Sequence, residues 1–191
     1  MKKLASLLCG LLLLAGLSGS GQAFQEYPSL ELTPYVGYLL YDGDLSTYQS
    51  NLAFGVRLDL RTMAALGFQF NYARCAMAGD FPSQPFGQDE YVELVHLNLT
   101  RDLFLARGVY VSGYAGLGSF NRRTEAEYDT DPSIQAGLEA RRNLFDMLYL
   151  RTSVGWIGAF LKDHDPEAQF AERTLTHHFG FAVTVSFLFD N

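Results

Sequence analysis

Asn51-Leu52-Ala53-Phe54-Gly55-Val56-Arg57-Leu58-Asp59-Leu60 is two interleaved sequences. Every second residue from Leu52 gives Leu52, Phe54, Val56, Leu58 and Leu60, a file that leaves water readily. The residues between them, Asn51, Ala53, Gly55, Arg57 and Asp59, are small or polar. A period of two is the mark of a β-strand with unlike faces. The next run repeats it, with Leu66, Phe68, Phe70 and Tyr72 against Gly67, Gln69, Asn71 and Ala73. Near the C-terminus the pattern is longest: Phe179, Phe181, Val183, Val185, Phe187 and Phe189 alternate with His178, Gly180, Ala182, Thr184 and Ser186.

Five further segments obey the rule less sharply. Leu30–Tyr41 sets Leu32, Pro34, Val36 and Tyr38 against Glu31, Thr33, Tyr35 and Gly37. Tyr91–Thr100 sets Val95, Leu97 and Leu99 against His96, Asn98 and Thr100. Ile134–Arg141 sets Ile134, Ala136, Leu138 and Ala140 against Gln135, Gly137, Glu139 and Arg141. Met147–Gly158 sets Leu148, Leu150, Val154 and Trp156 against Tyr149, Arg151, Ser153 and Gly155. Val109–Ser119 is ambiguous, because Tyr110 and Tyr114 fit either face. The expectation is an all-β chain of eight antiparallel strands, most near the roughly 9–11 residues that a tilted strand needs to cross a bilayer.

The connections alternate as well. Short links are expected around Arg61-Thr62-Met63-Ala64, at Arg101–Arg107 and at Arg142–Asp146. Longer polar loops are expected at Asp42–Gln49, Ala76–Glu90, Asn121–Pro132 and Leu161–Glu172. Short turns at one end and long loops at the other suit an up-and-down transmembrane barrel with the short side in the periplasm.

Residues 1–23 read differently. Lys2 and Lys3 precede an apolar run from Leu4 to Leu17, and Gly21-Gln22-Ala23 offers a small-x-small cleavage site. The run is too short for a membrane-spanning helix. A signal peptide cut after Ala23 is expected, leaving one barrel domain over 24–191. That removal shifts the formal charge from -7 to -9, since residues 1–23 hold two lysines and no acid. An acidic domain without a basic stripe argues against nucleic acid. Cys75 is then the sole cysteine, so no intrachain disulfide can form. No motif calls for a cofactor.

Alternation alone does not say which face is inside. Were the apolar files inward, a lumen just wide enough to be filled by side chains would have to hold nine large aromatics as well as many Leu and Val. Those nine are Phe54, Phe68, Phe70, Tyr72, Trp156, Phe179, Phe181, Phe187 and Phe189. Inverted, they face lipid, while Glu31, Arg57, Asp59, Glu139, Arg141 and Arg151 share the lumen with opposite charges available to pair. Gly37, Gly55, Gly67, Gly137, Gly155 and Gly180 fall on the same inner file. Tyr72 and Trp156 lie near one set of strand ends, Phe187 and Phe189 near the other, as interface girdles require.

On these residues the chain resembles the small outer-membrane β-barrel superfamily, of the type of outer-membrane protein A's N-terminal domain. The strand Glu31-Leu32-Thr33-Pro34-Tyr35-Val36-Gly37-Tyr38 is similar to that family's opening strand. The last strand, with Gly180 and alternating hydrophobics to Phe187 and Phe189, resembles its assembly signal, although Asp190 and Asn191 follow where the family ends on the aromatic. The resemblance spans residues 24–191. It implies the outer membrane of a Gram-negative bacterium, contact with outer-membrane lipids and lipopolysaccharide, and insertion by the barrel assembly machinery.

Chemistry is sparse. His96 and His178 point inward, across the barrel from each other, and could share a metal; His177 points outward, and His164 lies in the last loop. The plainer reading makes the inner pair hydrogen-bonded lumen residues. Asp129-Thr130-Asp131 and Asp163-His164-Asp165-Pro166-Glu167 are rich in oxygen, but their spacing matches no calcium loop. Some barrels of this size resemble lipid A deacylases, which carry a His-x-Ser-Asn motif; this chain has none, and Ser153 and Ser186 have no neighbouring histidine to act as base. The expected function is non-enzymatic, an envelope-structural or surface-interaction role with a plugged lumen. A narrow solute channel is the alternative and a lipid A-modifying enzyme the third.

Overall fold

The computed structural model describes residues 29–41, 51–62, 66–77, 90–106, 108–124, 128–145, 147–162 and 173–190. Residues 1–23, the loop residues 42–50 and 78–89, and the acidic stretch with His164 lie outside the described residues. Eight strands follow in chain order: β1 Ser29–Leu40, β2 Asn51–Arg61, β3 Leu66–Ala76, β4 Tyr91–Ala106, β5 Val109–Arg123, β6 Tyr128–Phe145, β7 Leu148–Lys162 and β8 Arg173–Asp190. Each pairs antiparallel with the next, and β8 returns to β1, closing the sheet into a barrel. The C-terminal ends of the odd strands define a loop end, and their N-terminal ends a turn end.

Closure removes every sheet edge and leaves each side chain one choice, inside or outside. In β1, Ser29, Glu31, Thr33, Gly37 and Leu39 are buried, whereas Leu30, Leu32, Pro34, Val36 and Leu40 are exposed. In β8 the exposed file is Leu175, Phe179, Phe181, Val183, Val185, Phe187 and Phe189. The outer wall carries many exposed apolar side chains: Leu117 is 70% exposed, Leu97 60% and Phe181 54%.

Several boundaries differ from those read in the sequence. Arg101–Arg107 is not a link: β4 runs on to Ala106, and the turn into β5 contains Gly108 at φ 77°, a left-handed conformation natural to glycine. Likewise β6 continues through Arg142 to Phe145. Both extensions contain a register shift, between Asp102 and Phe104 and between Asn143 and Phe145. An extra residue in one strand breaks the alternation that marked the strands elsewhere, which is why these ends resembled turns. Beyond the shifts Phe104 and Phe145 are exposed on the outer wall at the turn end, the end that also carries Phe187 and Phe189.

Asn121–Pro132, read as a polar loop, is mostly strand: β5 reaches Arg123 and β6 starts at Tyr128, with Arg123 paired to Tyr128. Its two faces are both polar, so hydrophobic periodicity could not reveal it. The ambiguity in β5 also resolves. Tyr114 is buried inside, and Tyr110 lies against the inner Arg141, whose guanidinium carbon is 4.9 Å from its ring centre.

Gly137 and Gly155 make room for Tyr114. A Cβ on Gly137 would stand 2.4 Å from the Tyr114 hydroxyl oxygen and 2.4 Å from the carbonyl oxygen of Val154, and the second of these is backbone that cannot yield. Gly137→Val is therefore expected to destabilise the barrel by about 2 kcal/mol, as overpacking of a filled interior does. Urea titration of the refolded protein, followed by tryptophan fluorescence of Trp156, measures it.

Candidate functional site

The inward files of β1, β2, β4, β6 and β7 bring eight charges together in the half of the barrel nearer the turn end. Four are arginines (Arg57, Arg61, Arg141, Arg151) and four are carboxylates (Glu31, Asp59, Asp102, Glu139), so the set is neutral. None is more than 8% exposed, and Glu31 is wholly enclosed. Arg151 is the hub: its Nη1 donates to Asp59 at 2.5 Å and to Thr33 at 2.9 Å, and its Nη2 lies 3.1 Å from both Glu31 and Glu139. Arg57 donates to Glu139 at 2.5 Å, and Arg141 to Glu31 at 3.2 Å. Arg61 pairs with Asp102.

The remaining strands join through neutral groups. Gln69 of β3 donates to Asp59 at 2.9 Å, Ser112 of β5 to Asp102 at 2.7 Å, and Ser186 of β8 to Glu31. All eight strands therefore touch one network. Sequence reading had placed Glu31, Arg57, Asp59, Glu139, Arg141 and Arg151 in the lumen, and the structure brings all six into contact. It missed Arg61 and Asp102, assigned to links. The signal was present, because Arg61 continues the file of Arg57 and Asp59, and Asp102 that of His96, Asn98 and Thr100.

Above the charges sits a layer of amides and phenols. Asn98 Nδ2 donates to Gln69 at 2.9 Å and to Gln135 at 3.2 Å. The Arg57 guanidinium lies between Tyr35 and Tyr114, 5.5 and 6.0 Å from their ring centres. Nearer the loop end the interior changes character. Leu39, Cys75, Met77, Val92, Leu94, Phe120, Ile157 and Leu161 form one buried apolar cluster. The expectation of a lumen polar throughout is corrected: the inner files are ionic at the turn end and mainly apolar toward the loop end, where Arg122 and Asp131 remain as an ion pair.

The inner histidines lie at the boundary between these layers and are held separately. His96 Nε2 is 2.9 Å from Ser133 Oγ, and His178 Nε2 is 2.9 Å from Thr176 Oγ1. His178 also stacks on Phe120 at 4.8 Å. Among the described residues no three histidine, cysteine or carboxylate side chains are grouped to hold a metal ion. Asp131, read as part of an acidic loop cluster, is buried inside and pairs with Arg122 at 3.1 Å. The nine aromatics assigned to the outer face all lie on outward files, with Phe68, Phe70, Phe179, Phe181, Phe187 and Phe189 exposed. There Trp156 Nε1 donates to His177 Nδ1 at 3.1 Å.

Solved structures share the eight-stranded antiparallel barrel. Neisserial surface protein A superposes with a TM-score of 0.55 at 12% identity, covering 83% of this chain and 96% of that protein. The N-terminal β-barrel domain of OprF from Pseudomonas aeruginosa gives 0.50 at 15%, covering 86% and 100%. Outer membrane protein AlkL, solved in lipid bilayers, gives 0.49 at 12%, covering 91% and 95%. No protein-family model matches the chain, and no curated protein matches it in sequence. The likeness to small outer-membrane barrels is thus one of fold.

Arg151→Met would leave Asp59, Glu31 and Glu139 short of their shared cation in a place water reaches poorly. A loss of about 4 kcal/mol is expected, the cost of breaking a buried ion pair on one side. Arg101→Gln, on the exposed outer file, is expected to change stability by less than about 0.5 kcal/mol. Urea unfolding of both variants beside the parent decides.

Proposed function

We propose that the protein spans an outer membrane as a closed, non-conducting barrel with an envelope-structural or surface-interaction role. The observation that carries this reading is an inversion. The eight charged residues of the ionic layer are 0–8% exposed, while the large apolar residues on the outer file reach 70% or more. A protein built for water has the opposite arrangement. In a bilayer the outer file meets acyl chains, and a closed ladder satisfies every backbone donor and acceptor without water.

The turn end would face the periplasm, with the loops outside the cell and the signal segment 1–23 removed during export. The tyrosines and tryptophan of the loop end, and the phenylalanines of the turn end, would then sit at the two interfaces. A water-filled pore would wet its lining charges, whereas here each arginine faces a carboxylate across the axis and an apolar layer stands above them. The fold likeness to a Neisserial surface protein and to outer-membrane barrels supports the same placement.

Fractionation and conductance test it together. The protein is expected in the outer-membrane fraction, with a gel mobility that changes on boiling. In planar bilayers it is expected to give no stable conductance step. Recovery as a soluble periplasmic species would refute the membrane placement, and a large, persistent open channel would refute the plug.

A further inference from the structure

One row of the inner ladder carries hydrogen-bonding groups that the protein itself does not satisfy. Arg57 of β2 stands opposite Asn71 of β3, and Asn71 opposite His96 of β4. His96 in turn stands opposite Gly118 of β5, and Gly118 opposite Ser133 of β6. The four side chains are 1–3% exposed. Arg57 Nε, Asn71 Oδ1 and His96 Nδ1 find no hydrogen-bond partner among the described residues. Residues opposite one another in a ladder have Cβ atoms roughly 4.5–5.5 Å apart, so the three orphaned atoms belong to adjacent positions on adjacent strands.

Local packing fixes how the histidine is turned. Gly118 has no side chain, and His96 leans over it: a Cβ there would stand 2.7 Å from His96 Cδ2. On the far side of the glycine, His96 Nε2 lies 2.9 Å from Ser133 Oγ. With Cδ2 against the β5 backbone, the opposite edge of the ring, which holds Nδ1, is turned away from that wall. Arg57 is anchored at its tip, where Nη1 donates to Glu139 at 2.5 Å, and its Nε–H stays nearer the root of the side chain, beside Asn71.

Buried polar atoms without partners carry the full penalty of lost hydration, and three in one row call for a guest. That guest must accept from Arg57 Nε–H and donate to Asn71 Oδ1. Toward His96 Nδ1 it must donate or accept, whichever the tautomer set by Ser133 requires. A metal or ammonium cation would face the Arg57 guanidinium, and a halide would face the Asn71 carbonyl oxygen. Water meets all three demands, and three hydrogen bonds are the usual number for a buried water. We infer that Arg57, Asn71 and His96 hold an enclosed water molecule at the boundary between the ionic and apolar layers of the lumen. It ties β2, β3 and β4 together where no direct side-chain bond joins these three residues, and it holds the His96 ring from the side opposite Ser133. The site lies inside the barrel and does not depend on what surrounds the outer wall.

X-ray radiolysis tests it, because hydroxyl radicals form where water sits, and mass spectrometry then maps the oxidised side chains. On the folded protein in detergent micelles, His96 is expected to be oxidised although it is 1% exposed. Met77, equally enclosed in the apolar cluster and readily oxidised, is expected to stay unmodified. Asn71→Leu removes the acceptor and fills its place, so His96 labelling is expected to disappear. An unlabelled His96 in the parent, beside an unlabelled Met77, would overturn this site and leave the plug standing. Equal His96 labelling in Asn71→Leu would overturn it too. Labelling of His96 and Met77 alike would show bulk water throughout the lumen and defeat both the site and the plug. Loss of His96 labelling in excess ammonium chloride would identify an ion as the guest. The boiling-dependent gel shift reports folding of Asn71→Leu; if that variant does not fold, the parent's contrast between His96 and Met77 decides alone.

Discussion

In a closed sheet every residue that faces out commits its neighbours to face in. This constraint, a side-chain period of two with no free edge, governs the whole molecule. Covering the outside with leucine, valine and phenylalanine forces an equal number of positions into a narrow tube. What fills the tube must be compact, self-satisfying or absent. The chain uses all three solutions: glycine where space is short, paired ions toward the turn end, and a small apolar cluster toward the loop end.

The charged layer works because it is complete. An arginine enclosed with no partner would be prohibitive, and a single buried pair is on average close to neutral against a hydrophobic replacement. Here four cations and four anions share oxygens and N–H groups, so that Glu31 serves Arg141 and Arg151, and Asp102 pairs with Arg61 while accepting from Ser112. The tyrosines extend the arrangement upward. Tyr35 and Tyr114 flank Arg57 over a floor of glycines, so the guanidinium passes from ionic to aromatic surroundings without an empty layer.

How much of this was legible follows from where the period of two is clean. In β2, β3 and β8 the two faces differ so strongly that the strand and the division of its faces come from a glance at alternate residues, and the volume of the lumen then sets which face is inside. In β5 glycines occur on both candidate faces and the tyrosines suit either surface, so only packing assigns Tyr110 and Tyr114. At the ends of β4 and β6 one inserted residue shifts the phase, so the strands seemed to stop early and Asp102 went unassigned. The β5–β6 hairpin beyond Ser119 and Pro132 failed for another reason: with polar residues on both faces there is no contrast to read. The apolar inner cluster was hidden because Leu39, Ile157 and Leu161 follow outward-looking neighbours, which suggests the end of a strand rather than a dry interior.

One feature of the ladder bears on how the chain ends are joined. Between β1 and β8 the pairing runs from Ser29 and Asp190 to Leu32 and Phe187, and resumes in the same register at Gly37 and Ala182; Pro34, with no N–H to offer, lies in the interval. This is also the seam that joins the first strand to the last, and so the junction whose closure spans the longest stretch of chain. Its backbone is the less continuous part of the circumference, and across it reach the Ser186–Glu31 contact and, through Glu31, the hold of Arg141 and Arg151. The interior charges are thus more than filler: they are the latch that keeps a cylinder, once wrapped, from unrolling at its only terminal joint.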